Sequence, residues 1–138
     1  MTVNPYLSFE GRCEEAIEFY KRAVGAEVMM LSRFKDMPAG ACPEGKTPPG
    51  TENKIMHASL QIGDSIVMAS DGHCTGHTNF GGISLSLATA NDAQAQKAFS
   101  ALSNGGQVTM PLGKTFFSSS FGMLKDRFGI TWMVLVQA

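Results

Sequence analysis

Three places in the chain hold residues whose types and spacing could do chemistry. His73-Cys74-Thr75-Gly76-His77 sets imidazole, thiol and imidazole close together, a spacing that could hold Zn²⁺ or Cu²⁺ with Asp71 as the local fourth donor. The same stretch is polar and glycine-bearing, and reads more simply as a connector between two halves. His57 stands in the alternating run Ile55-Met56-His57-Ala58-Ser59-Leu60-Gln61-Ile62, where an imidazole could serve as a general acid or base. No carboxylate stands where it would orient that ring. His57 is therefore the single catalytic candidate, and a ligand-contacting or hydrogen-bonded histidine is the plainer reading. Asp126 and Arg127 could form an acid–base pair, but they precede Phe128-Gly129, where aspartate commonly satisfies turn backbone.

The elements that must position these groups come in two similar sets. Cys13, Ala16, Ile17 and Tyr20 make an apolar stripe at helical spacing, and Ala95, Ala98, Phe99 and Leu102 repeat it. The first helix is predicted from about Arg12 to Val24, with acids at its start, Lys21 and Arg22 at its end, and Gly25 to stop it. The second runs from about Asp92 to Leu102, capped by Asn91 or Asp92 and ended by Gly105-Gly106. Strands are predicted at Val3–Phe9, Val28–Phe34, Ile55–Ile62, Ser65–Ser70, Ile83–Leu87, Val108–Leu112, Thr115–Lys125 and Ile130–Val136. Each half is then strand, helix, three strands, with residues 1–71 as a first βαβββ module, 72–81 as connector and 82–138 as a second. Between Asp36 and Lys54 lie Pro38, Pro43, Pro48 and Pro49, which predict a long irregular loop. That loop could close over a site, with Lys46 or Lys54 reaching an anionic ligand, or it could be surface disorder.

Alternation sorts the strand side chains by face. Ala58 and Leu60 oppose His57, Ser59 and Gln61; Leu7 and Phe9 oppose Tyr6 and Ser8; Leu85 and Leu87 oppose Ser84 and Ser86. In the seventh strand, Ser118, Ser120 and Gly122 oppose Phe117 and Phe121. If the helices cover the apolar faces, the second faces form a cup of small polar groups with aromatic walls. The predicted ligand contacts are Tyr6, Ser8, His57, Ser59, Met68, Ser84, Ser118, Ser120, Phe121 and Trp132. Phe116, Phe117, Phe121 and Trp132 also read as core or dimer packing, with one or two of them walling the cup. The alternative is that polar parity faces only water. Against it stands the scarcity of Lys and Glu at these positions.

Bulk properties exclude several functions. Eleven basic residues against twelve acidic give a formal charge of −1, with no basic run to track phosphates, so nucleic acid is not an expected partner. Three cysteines, Cys13, Cys42 and Cys74, form no CxxC pair and fit a reducing compartment, which predicts a cytoplasmic protein. Neither a signal peptide nor a membrane span is expected.

The phrase Glu15-Ala16-Ile17-Glu18-Phe19-Tyr20 ending in Gly25, and the closing Asp126-Arg127-Phe128-Gly129-Ile130-Thr131-Trp132, resemble the vicinal oxygen chelate superfamily of glyoxalases, bleomycin-resistance proteins and extradiol dioxygenases. More narrowly, Pro5-Tyr6-Leu7-Ser8-Phe9, Ile55-Met56-His57-Ala58 and Phe121 through Gly129 resemble the PhnB-like branch, which also carries the label 3-demethylubiquinone-9 3-methyltransferase. The resemblance implies an α+β fold of two tandem βαβββ modules with curved, cup-shaped mixed sheets, assembled as a homodimer. Enzymes of that superfamily hold a divalent metal with His and Glu from strands of the modules. Here the first strand has no such ligand, Met68, Ser84 and Ser86 stand at the corresponding places, and Met133 follows Trp132. Thioether and hydroxyl groups do not build such a site. Nor does a glycine-rich strand-to-helix turn offer a cradle for a methyl-donor cofactor. The sequence thus predicts a small-molecule-binding protein without a cofactor or the usual catalytic metal. The alternative is a metal-dependent lyase, isomerase or dioxygenase-like enzyme with a non-standard site around His57.

Overall fold

The computed structural model describes residues 1–36 and 50–137. The predicted loop between Asp36 and Lys54, with Cys42 and Lys46, therefore lies largely outside the described residues. The chain divides into two units, Met1–Thr78 and Asn79–Ala138.

Unit 1 runs β1 (Tyr6–Ser8), α1 (Cys13–Val24), β2 (Glu27–Arg33), a 3-10 turn (Phe34–Asp36), β3 (Ile55–Ile62) and β4 (Ser65–Ser70). Its sheet has the order β1-β4-β3-β2, with β1 parallel to β4 and the other pairs antiparallel. The helix forms where the apolar stripe dictates. Cys13, Ala16, Ile17, Phe19 and Tyr20 are buried, with Glu14 and Glu15 in the first turn and Lys21 and Arg22 in the last. Gly25 ends it in the left-handed region at φ 68°, its N–H bonded to the Tyr20 carbonyl. The stripe packs with Phe9, Ile55, Ala58, Leu60 and Ala69 into one core. Each large apolar side chain so buried contributes about 1.5–3 kcal/mol.

Unit 2 repeats the plan with β5 (Ser84–Thr89), α2 (Asp92–Ser103), β6 (Gln107–Gly113), β7 (Phe121–Lys125) and β8 (Thr131–Val136), in sheet order β5-β8-β7-β6. Again the first strand is parallel to the last and the remaining pairs are antiparallel. Asn91 caps α2 by accepting the Gln94 N–H at 2.8 Å, while Gln94 Oε1 accepts the Ala90 N–H at 2.8 Å. Ala95, Ala98, Phe99 and Leu102 are buried against Leu124, Trp132 and Val134 in the unit's core. The fold is the α+β pair of βαβββ modules with cup-shaped sheets that the sequence implied.

The seventh strand differs from expectation. It begins at Phe121, not Thr115, because the serine-rich stretch before it closes on itself. Thr115 Oγ1 accepts the Ser118 N–H at 3.1 Å, and the single Ser118 hydroxyl hydrogen lies between the Ser120 and Val136 carbonyls, 2.7 and 2.8 Å from Oγ. Local side-chain hydrogen bonds thus displace the ladder there. The strand's faces are also the reverse of the expected ones. Gly122 and Leu124 are buried on the helix side, and a Cβ at Gly122 would come within 2.7 Å of the Phe99 ring. Phe121 and Met123 accordingly lie on the open face.

Candidate functional site

All four strands of the unit 1 sheet contribute to its open face. In register, Tyr6 of β1 stands beside Met68 of β4, and Met68 beside Ser59 of β3. His57 lies one same-face position along from Ser59 and opposite Ser32 of β2. Tyr6 and His57 lean toward one another across β4. The phenol oxygen and His57 Nδ1 are 3.3 Å apart, and the ring centroids are 5.6 Å apart. Which group donates depends on the imidazole tautomer. Tyr6 is 49% exposed and His57, Ser59 and Met68 are half-buried, so a small molecule could touch all four. Ser8 follows Tyr6 on the same face, beside Ser70.

The remaining predicted contacts belong to unit 2, and the structure divides them. Ser84 is exposed and registers with Thr131; Phe121 registers with Leu135 on the same open face. Ser118 is buried, with its hydroxyl set between the Ser120 and Val136 carbonyls and accepting the Val136 N–H at 3.2 Å, so it serves the turn. Ser120 gives its hydroxyl to Asp92 Oδ1 at 2.8 Å, beside Ser119 at 2.7 Å. Those two donors hold the Asp92 carboxyl below its ordinary range. Trp132, contrary to expectation, lies on the helix face, 3% exposed, with its indole N–H donated to Asp126 Oδ2 at 2.8 Å. Parity places it opposite Met133, so it packs the core and does not wall the cup.

Asp126 does what its turn position predicted. Its Oδ1 accepts the Phe128 and Ile130 N–H groups at 2.9 and 3.1 Å, and Arg127 reaches the Asn104 carbonyl at 3.0 and 3.1 Å. Neither residue is poised for proton transfer.

The His73–His77 segment also has a structural explanation. Glu10, at φ 51°, turns its carboxylate into that loop, where Oε2 accepts the His73 and Thr75 N–H groups at 3.0 and 3.1 Å. Asp71 is buried, and its carboxylate accepts the Gly11, Cys13 and Ile55 N–H groups at 3.0, 2.7 and 2.7 Å. This role of Asp71 is invisible in sequence, because its donors lie 60, 58 and 16 positions away. Burial, reinforced by the charge of Asp71, raises the Cys74 thiol above its usual range. Among the described residues no group of three or more His, Cys, Asp or Glu side chains could hold a metal ion. Around Tyr6 and His57 the donor set is one imidazole, a phenol, hydroxyls and a thioether, and Glu27 of β2 registers with Gln61, four positions from His57, so the set does not fit the divalent metal of the superfamily's enzymes. The N-terminus of α1, where an anionic cofactor group could bind, is already filled by Asp71.

Comparison with known proteins agrees with this architecture. Residues 1–135 match the family described as 3-demethylubiquinone-9 3-methyltransferase. Protein YjdN of Escherichia coli K12 is 35% identical, over 99% of this chain and 95% of that one. The crystal structure of protein PA1353 from Pseudomonas aeruginosa superposes with a TM-score of 0.84 at 40% identity, covering 99% of this chain and 98% of that one. A putative 3-demethylubiquinone-9 3-methyltransferase, PhnB protein, from Bacillus cereus gives 0.79 at 27% identity, covering 99% of each chain.

Proposed function

The chain belongs to the 3-demethylubiquinone-9 3-methyltransferase (PhnB-like) family, and from that membership we propose that it binds a small organic molecule in its cup-shaped sheets without the usual catalytic metal. The observation that carries this reading is the gathering of Tyr6, His57, Ser59 and Met68 on one accessible face, three of them half-buried. A merely solvated antiparallel face recruits long charged side chains, and these four positions hold none. The methyl transfer in the family's description finds no support in the β1–α1 turn, whose amides bond to Asp71.

The protein is read as a cytoplasmic homodimer. Val28, Met29, Met30 and Leu31 are all exposed on β2, the outer strand of its sheet, and an apolar edge of this kind is ordinarily covered. No helix of the described residues is long and apolar enough to cross a membrane, and Cys13 and Cys74 are free thiols.

A thermal-shift screen over metabolites and antibiotics, with and without chelator, tests the binding reading. Ligand-dependent stabilisation that survives chelation is expected. A stoichiometric divalent metal, lost in His57→Ala, would overturn it in favour of a metal-dependent enzyme. Sedimentation at several concentrations tests the dimer.

A further inference from the structure

We propose that the open face of unit 2 carries a binding site for a soft monovalent metal ion, of the class of Cu(I) and Ag(I), built from the thioethers of Met110, Met123 and Met133. The three stand in one cross-strand row: Met110 of β6 registers with Met123 of β7, and Met123 with Met133 of β8. Side chains at paired ladder positions leave the sheet on the same side, and the sequence neighbours Leu124, Trp132 and Val134 are buried on the helix side. All three methionines therefore face away from α2. Met110 is 45% exposed and Met123 and Met133 are half-buried, so an incoming ion can reach the row.

Three sulfurs on adjacent strands suit one ion. Each flanking methionine is one strand spacing, about 4.8 Å, from Met123. The side chain is unbranched with three rotatable bonds, so the outer two can lean over the central one. Bulges bend a strand and re-aim its side chains. On β6 the ladder slips on both sides of Met110, the residue that completes the row. A thioether is uncharged and polarisable, and selects soft ions over Zn²⁺, Mg²⁺ or Ca²⁺, which take imidazole, thiolate or oxygen ligands. The one charge on the neighbouring rows is Lys125, two residues beyond Met123 on the same face, in register with Gln107 and Thr131. Its ammonium is exposed and screened by water, and it opposes a doubly charged ion more than a singly charged one. On the other side Phe121 pairs with Leu135, an apolar border without a hard donor.

Unit 1 provides an internal control. Its equivalent row is Met30, Ser59 and Met68, in which a hydroxyl stands in place of the central sulfur. The two remaining thioethers are two strands apart, with no third between them.

The probes are silver nitrate in chloride-free buffer and Cu(I) in anaerobic buffer containing acetonitrile. Each is titrated into the full-length chain labelled at its methionine methyls and followed by NMR. A Cys42→Ser/Cys74→Ser background removes the competing thiols other than Cys13, which is fully buried. The Met110, Met123 and Met133 signals are expected to move together and saturate at one ion per chain, with Met30 and Met68 unmoved and Zn²⁺ without effect. Met123→Leu, which keeps the apolar volume and removes the sulfur, should weaken binding at least about tenfold while leaving urea unfolding unchanged. Affinity should be equal at about pH 5.5 and about pH 7.5, since a thioether has no proton to lose, whereas a histidine site weakens in acid. Binding that survives Met123→Leu, that weakens in acid, that Zn²⁺ reproduces, or that moves Met30 and Met68 in place of the unit 2 signals would each overturn the inference. Methionine methyls that respond to neither ion would also overturn it, and would leave the small-molecule reading intact.

Discussion

His57 and Phe121 occupy the same place in two copies of one framework. Each precedes by two residues the strand position, Ser59 or Met123, that pairs with Met68 or Met133. Even the irregularities match: the ladder slips between Val28 and Met30 in unit 1 and between Val108 and Met110 in unit 2. The open faces nevertheless differ: a phenol and an imidazole meet across β4 in unit 1, whereas Ser86, Phe121, Met123 and Met133 stand at the matching positions of unit 2. Duplication has preserved what the helix and ladder require and released what the open face carries. A bulge survives because it sets the strand's twist and the placement of every later residue, whereas an open-face side chain answers only to what binds there.

The buried aspartates differ between the units as well, and removing them should produce the largest effects. Asp71 joins the β1–α1 turn, the start of α1 and the start of β3 through three N–H groups. Asp126 also satisfies three donors, but all lie within six positions, and one is the Trp132 indole. Asp71→Ala strands donors on three separate segments and is expected to cost about 3–5 kcal/mol in denaturant unfolding. Asp126→Ala should cost about 2–4 kcal/mol, since turn amides can shift toward water. A larger loss for Asp126→Ala would break the argument that long-range pinning distinguishes unit 1.

Much of the framework was legible because it rests on local periodicity. The two helical stripes, the Gly25 stop, the Asn91 cap and the first four strands follow from spacing and cap chemistry alone. Strand alternation also placed Tyr6, His57 and Ser59 together on the open face. The misreading began where a local competitor intervened. Thr115 and Ser118 bond to nearby backbone, the strand starts late, and Gly122 turns toward Phe99 because only a residue without Cβ fits beneath that ring. The ring of Trp132 suggests a ligand contact, although its parity with Val134 marks it as core. Asp71 carried a signal too weak to read, since its partners are brought near only by the completed fold.

Helix starts give a smaller contrast. Unit 2 caps α2 from its own sequence, whereas Arg12, at the equivalent place in α1, makes no side-chain cap. Asn91→Ala should cost about 1 kcal/mol. Arg12→Ala should change stability by less than about 0.5 kcal/mol, because it loses an exposed pair with Glu15. Thermal or urea unfolding of both variants checks this, and equal losses would show that α1 also depends on its own N-cap residue.

The smallest expected effect concerns acid. Asp92 accepts hydroxyl hydrogens from Ser119 and Ser120, and these bonds favour its charged form, lowering its pKa in the folded protein. A group depressed in this way contributes stability that is fully present above the unfolded value, about 3.9, and is lost as pH falls through the lower folded value. The stability difference between the native chain and a Ser119→Ala/Ser120→Ala double variant should therefore stay constant from about pH 7 to 5 and shrink below about pH 4. In the same variant the Asp92 carboxyl, followed by NMR, should titrate at a higher pH than in the native chain. An unchanged titration would mean that the serine hydroxyls do not hold the charge, and that the turn before β7 is fixed to the unit 2 core by Ser118 alone.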